Sequence, residues 1–163
     1  MDAHAAINNA AAMSMFVLAR YLEDLSDADL MRRPGPGCNH LAWQLGHLIS
    51  SEVGLLESVA PGAAIELPAG FAAAHSPETA GSDEASKFHT KGEYLDLFGK
   101  ARGATAAALA KLSPTDLDAP GPERFREFFP TVGDVFLLLA NHPLMHAGQF
   151  VPVRRALGKP VTI

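Results

Sequence analysis

Residues 39–59 read NHLAWQLGHLISSEVGLLESV, and Leu41, Leu45, Leu48, Leu55, Leu56 and Val59 fall on shared rows of a 3.6-residue helix. Asn39 is a good N-cap for it, and Pro61 with Gly62 ends it. The next thirty residues decide the architecture. From Ala60 to His89 the chain has little periodicity, with Pro61, Pro68, Pro77, Gly62, Gly70 and Gly81 spread through it. Thr90 and Glu93 then form a capping box for a helix to about Leu112, with Tyr94, Leu95, Phe98, Ala101, Ala108, Leu109 and Leu112 as core candidates. A connection this long either crosses a bundle or covers a site, and a crossing makes the two helices it joins parallel.

Working outward, Ala3 to about Leu25 carries Ile7, Ala11, Leu18, Leu22 and Leu25 on one face, and Pro34-Gly35-Pro36-Gly37 separates it from the quoted helix. Downstream, Ser113-Pro114 starts a turn and Pro120–Pro130 is irregular. Thr131 with Asp134 then opens a last helix that ends at Gly158, ahead of Pro160. The expected fold is all-α: one domain over residues 1–163, a four-helix bundle with a long crossover between helices two and three, up-down-down-up.

Composition agrees. Ala and Leu supply 48 residues against 12 for Val and Ile, an inventory of helix formers that argues against an all-β fold. Hydrophobic residues make up 48% and charged residues 19% of 163, outside the disordered range. The net charge of -5 and the lack of any basic patch argue against a nucleic-acid partner. Cys38 is the single cysteine and the first residues carry no secretion signal, so a cytoplasmic location is expected. Val135–Val153 is uncharged, but Asn141, His142, His146, Gln149 and two prolines make it a polar-studded core helix, not a membrane span.

Polar residues also repeat at helical spacing. His40, Gln44, His47 and Ser51 form one stripe at i, i+4, i+7 and i+11, with no Asp, Glu, Lys or Arg between Cys38 and Ser51. His142, His146 and Gln149 form a matching stripe on the last helix. A solvated face would carry long charged side chains, so these stripes are expected to meet inside the bundle. His142 and His146 share a face at i, i+4, and His47 on another charge-free helix completes a set of three nitrogen ligands, which leaves a coordination position open for water or substrate. An unperturbed imidazole titrates near ~6.5, so metal occupancy is expected to fall on acidification through that range. Pro143 follows His142, which excludes an H-E-x-x-H motif and predicts a kink beside the ligand pair.

The segment NHLAWQLGHLISSE (Asn39–Glu52), followed about ninety residues later by HPLMHAGQFVPVRRALGKP (His142–Pro160), resembles the DinB-like superfamily of four-helix bundles. Helix order and the long crossover are similar as well. The resemblance implies a metal triad of one histidine on helix two and an H-x-x-x-H pair on helix four, here His47, His142 and His146. It also implies a metal-dependent hydrolase, or a transferase or isomerase working with a small thiol. The expected ion is zinc first and nickel second, because imidazole suits both. The expected partner is a small-molecule substrate. A non-catalytic metal-binding or stress-associated homodimeric bundle is the alternative, and a haem site between the helices a further one.

His40, Gln44, Gln149 and Trp43 are candidates for groups behind the ligands or for walls of a substrate pocket, with His40 and Gln44 expected to orient His47 or a water. Trp43 and Cys38 read first as packing residues. Arg154 and Arg155 read as partners of the negative end of the helix dipole, and His4, His75 and His89 as solvated. Glu52 lies roughly 140° round the helix from His47 and should not face the ion. No catalytic acid or base can be named.

Overall fold

The computed structural model describes residues 1–161. In chain order the helices are α1 (Ala3–Leu22), α2 (Asp27–Leu30), α3 (Leu41–Val59), α4 (Phe71–Ala74), α5 (Lys91–Leu109), α6 (Pro114–Leu117) and α7 (Val132–Ala156). Four are long and three are single turns. Among the described residues there is no strand, only an isolated bridge between Pro120 and Thr131. No helix among them is long and apolar enough to cross a membrane.

The long helices end where local capping outcompetes apolar periodicity. α1 stops at Leu22 although Leu25 is buried, because Ser26 and Asp29 form a capping box that starts α2. α5 stops at Leu109 because Ser113 and Asp116 cap α6 in the same way. α3 is capped by His40 instead of Asn39: the His40 Nδ1 accepts the Trp43 backbone N–H at 3.0 Å.

Side-chain pairings give the directions of the bundle. Ser14 meets the Ala140 carbonyl and Arg154 donates to the Tyr21 carbonyl, so α1 and α7 run in the same sense. Glu52 of α3 meets Arg102 and Thr105 of α5, and Leu56 packs in one cluster with Leu109 farther along, so these two helices also run together. Gln44 pairs with His146, whereas Leu55 clusters with Val135 and Phe136, so α3 and α7 run oppositely.

Two apolar clusters divide the core. One gathers Leu22, Leu41, Leu45, Tyr94, Phe98 and Phe150. The other gathers Ile7, Leu56, Leu109, Phe136 and Leu139. Between them α3 carries Ser50, Ser51 and Glu52 and α7 carries Asn141, His142 and His146, so the histidine pair and Glu52 occupy a belt where the apolar rows are interrupted.

The crossover docks through a histidine expected in solvent. His75 is 2% exposed. Its Nδ1–H donates to the Phe71 carbonyl at 2.8 Å, and its Nε2 accepts from the Tyr94 hydroxyl at 2.7 Å, which itself accepts the His89 N–H. The ring lies on Gly46 of α3 so closely that any Cβ there would overlap it. Burial holds the His75 pKa down to about 4. His4 is also tied in, half-buried against the Leu112 carbonyl, and His89 is half-buried. Arg154 is buried too. It pairs with Asp24 and donates to the Tyr21 and Pro160 carbonyls, a bolt from α7 to the end of α1; only Arg155 is left exposed at the helix end.

Candidate metal centre

α3 brings His47 and α7 brings His142 and His146 to one place. The ring centroids are 5.4 Å apart for His47 and His142, 5.3 Å for His47 and His146, and 4.9 Å for His142 and His146. One ligand nitrogen from each ring lies within 4.8 Å of the other two. Nitrogens spread like this can contact a single ion at the ~2.0–2.1 Å usual for zinc and imidazole with small rotamer adjustments.

The three rings are held neutral. Burial lowers the pKa of His142 and of His146 to about 4, with neighbouring histidines adding repulsion, and burial lowers that of His47. Each therefore keeps a lone pair at neutral pH. For His146 the free nitrogen can be assigned. The Gln44 amide Nε2 donates to the Asn39 carbonyl at 2.8 Å, which turns its Oε1 toward the His146 Nδ1 at 2.9 Å. An amide oxygen only accepts, so Nδ1 carries the proton and Nε2 has the lone pair.

Gln44 thus orients His146 rather than His47. Trp43 does back His47, its ring stacked at 5.1 Å and 7° while its Nε1–H is tied to the Ser76 carbonyl on the crossover. Two expected members fall elsewhere. His40 is fully buried as the α3 cap and donates from Nε2 to the Ser82 carbonyl at 3.1 Å, so both its nitrogens serve the backbone. Gln149 is exposed, one turn too far along α7 to join the cleft. Glu52 faces away from the histidines, as its angle on the helix demands: it is bound to Arg102 at 3.0 Å and Thr105 at 2.7 Å, and burial pushes its pKa up against the pull of both.

His47 and His142 open onto a cavity of about 560 Å³, walled on one side by Ser51, Leu55 and Ser58 of α3 and on another by Leu138 and Met145 of α7. Its remaining wall is the segment 120–130, through Pro122, Arg124, Phe125 and Phe129. Sequence reasoning passes over that segment. Its one signal is three phenylalanines in a proline-bounded stretch without helical period, apolar residues that need a surface to cover.

A model of the DinB superfamily matches residues 17–150, which takes in α3, the crossover, α5 and the histidine pair of α7. The chain belongs to the DinB superfamily. No curated protein matches it. The three histidines that this DinB chain brings together are compatible with metal binding, and the donor set, three neutral imidazoles beside an open cavity, fits a divalent ion of borderline softness.

Proposed function

We propose that the protein binds one divalent metal ion, zinc before nickel, on His47, His142 and His146, and uses it on a small molecule held in the adjoining cavity. The observation that supports this is the convergence of three neutral ring nitrogens within 4.8 Å at the wall of a cavity of about 560 Å³. A bound divalent ion supplies Lewis acidity there. The chain itself supplies orientation, through Gln44 on His146 and Trp43 on His47, and a largely apolar cavity wall, through Phe125 and Phe129 of the segment 120–130.

Between hydrolysis and thiol transfer, the lining favours the latter. Among the described residues no carboxylate lines the cavity, and Glu52 is committed to Arg102 and Thr105, so no acidic base among them stands ready to take a proton from water. A small thiol ionises near ~8.5 and needs far less help than water. The substrate would then be a small electrophile and the co-substrate a low-molecular-weight thiol. The test is elemental analysis of protein purified without chelator or affinity tag, followed by thiol-consumption assays with zinc-loaded and chelated protein. Sub-stoichiometric metal under zinc-replete conditions would defeat the metal reading; full occupancy without metal-dependent turnover on thiols or esters would leave the non-catalytic bundle.

A further inference from the structure

The charge pattern of the cavity points to the class of molecule it admits. Leu55, Phe125, Phe129, Leu138 and Met145 make its walls largely apolar, and Arg124 is the one charged group among the lining residues. Arg102 and Arg154 are each bound to a carboxylate, whereas Arg124 has no ion pair or hydrogen bond among the described residues; its guanidinium carbon lies 5.2 Å from the Phe125 ring centroid. A guanidinium resting on an aromatic face keeps its edge N–H groups free for a planar anion.

The segment bearing this cation is preformed. Gly121 donates to the Pro130 carbonyl at 2.8 Å and Val132 to the Ala119 carbonyl at 2.9 Å, closing the two ends. Inside, the Arg126 Nε–H donates to the Gly121 carbonyl and the Phe129 N–H to that of Phe125. Gly121 is required here because a Cβ would overlap the Phe129 carbonyl. The result is a closed Ω-type loop whose backbone is set before any ligand arrives, with the exposed Arg124 side chain resting on the Phe125 ring.

We propose that this loop makes the cavity selective for small amphipathic carboxylates: an aromatic or branched apolar body lies against Phe125 and Phe129, and the carboxylate pairs with Arg124. The location next to His47 and His142 rests on the proposed metal site, but the recognition does not require the ion. A volume of about 560 Å³ suits one such molecule.

Calorimetric titration of chelated, metal-free protein with phenylacetate and with its uncharged isostere phenylacetamide tests the proposal. Wild-type protein should prefer the acid by roughly two- to fivefold, the scale of an ion pair to an exposed guanidinium. Arg124→Gln should bring the acid down to the amide, with amide affinity unchanged, and Arg124→Lys should keep part of the preference. Circular dichroism of each variant verifies its fold. Equal affinity for the two probes in wild type, binding of neither, or a preference that survives Arg124→Gln would overturn the proposal. Zinc titration of the same proteins separates it from the metal reading. A His146→Ala variant that loses zinc should keep the acid preference, and if zinc fails to bind wild type while the preference stands, only the metal reading falls.

Discussion

The Arg102 guanidinium donates to the carbonyl of Leu139 at 2.8 Å, four residues before Pro143. A proline inside a helix has no N–H to return to the i−4 carbonyl, and α7 nonetheless continues unbroken from Val132 to Ala156. Arg102 supplies the missing donor from α5, while its other partner is the buried Glu52 of α3. One side chain thus completes the backbone of α7 just before His142 and neutralises the single carboxylate in the polar belt. The three histidines are supported from behind by a polar network, and the carbonyl that Pro143 leaves without a helical donor has a partner in Arg102.

Arg102→Ala should therefore destabilise the protein by about 2–4 kcal/mol, because in a buried setting it leaves the Leu139 carbonyl without its side-chain donor and the Glu52 carboxylate without its counter-charge, held by Thr105 alone. Adding Glu52→Gln should recover part of the loss. Urea unfolding of the two single variants and the double variant measures this, and purely additive losses would mean that the residues do not act as one network.

Gln44→Leu keeps the volume but removes the acceptor that fixes the His146 tautomer. Zinc affinity should drop about 10–100-fold, as for other groups that orient a metal-bound imidazole. His146→Ala should lose most of the affinity and stay helical, because the two apolar clusters do not include the histidines. Competition titration with a chromogenic chelator reads the first; circular dichroism checks the second. An unfolded His146→Ala protein would make the metal structural.

The long helices and the histidine pair of α7 are legible in the sequence because both depend on spacing along one helix: the apolar rows of α3 and the i, i+4 pair need only a 3.6-residue period, whereas His47 joins the pair through the charge-free stripes of two helices. Spacing misplaces His75 and Arg154 because their burial is decided by distant chain, Gly46 and Tyr94 for the one, Asp24 and Tyr21 for the other. It also assigns His40 to the metal site because a stripe does not reveal a cap, although a position directly before an apolar run is compatible with one. The segment 120–130 bears on the site through tertiary packing alone, so no local pattern connects Arg124 to His47.

Gly46→Ala should expel the His75 ring, since the new methyl would occupy its place, and loosen the crossover from α3. The expected loss is about 1–3 kcal/mol, typical of overpacking. Because His75→Ala opens the space again, the double variant should be more stable than the sum of the single losses predicts. Thermal melts of all three test the docking; a neutral Gly46→Ala would show that the crossover does not pack there.

The response of metal binding to pH should differ from that of exposed histidines. A ring whose folded pKa is depressed gains protons in the unfolded chain first, so the metal-free fold has its full stability above ~6.5 and loses it as pH falls toward 4, where His75, His142 and His146 would themselves protonate. Protons compete with the ion only when the folded site can take them up. With His142 and His146 held at about 4 and His47 also lowered, zinc affinity should fall mainly below the ordinary imidazole value, toward pH 4, rather than halving near it. Calorimetric zinc titrations across pH 4.5–7.5, corrected for buffer protonation, measure the profile, and circular dichroism at each pH separates loss of ligation from loss of fold. A midpoint near 6.5 in protein that is still folded would show that the rings are hydrated in solution and that burial does not set their protonation.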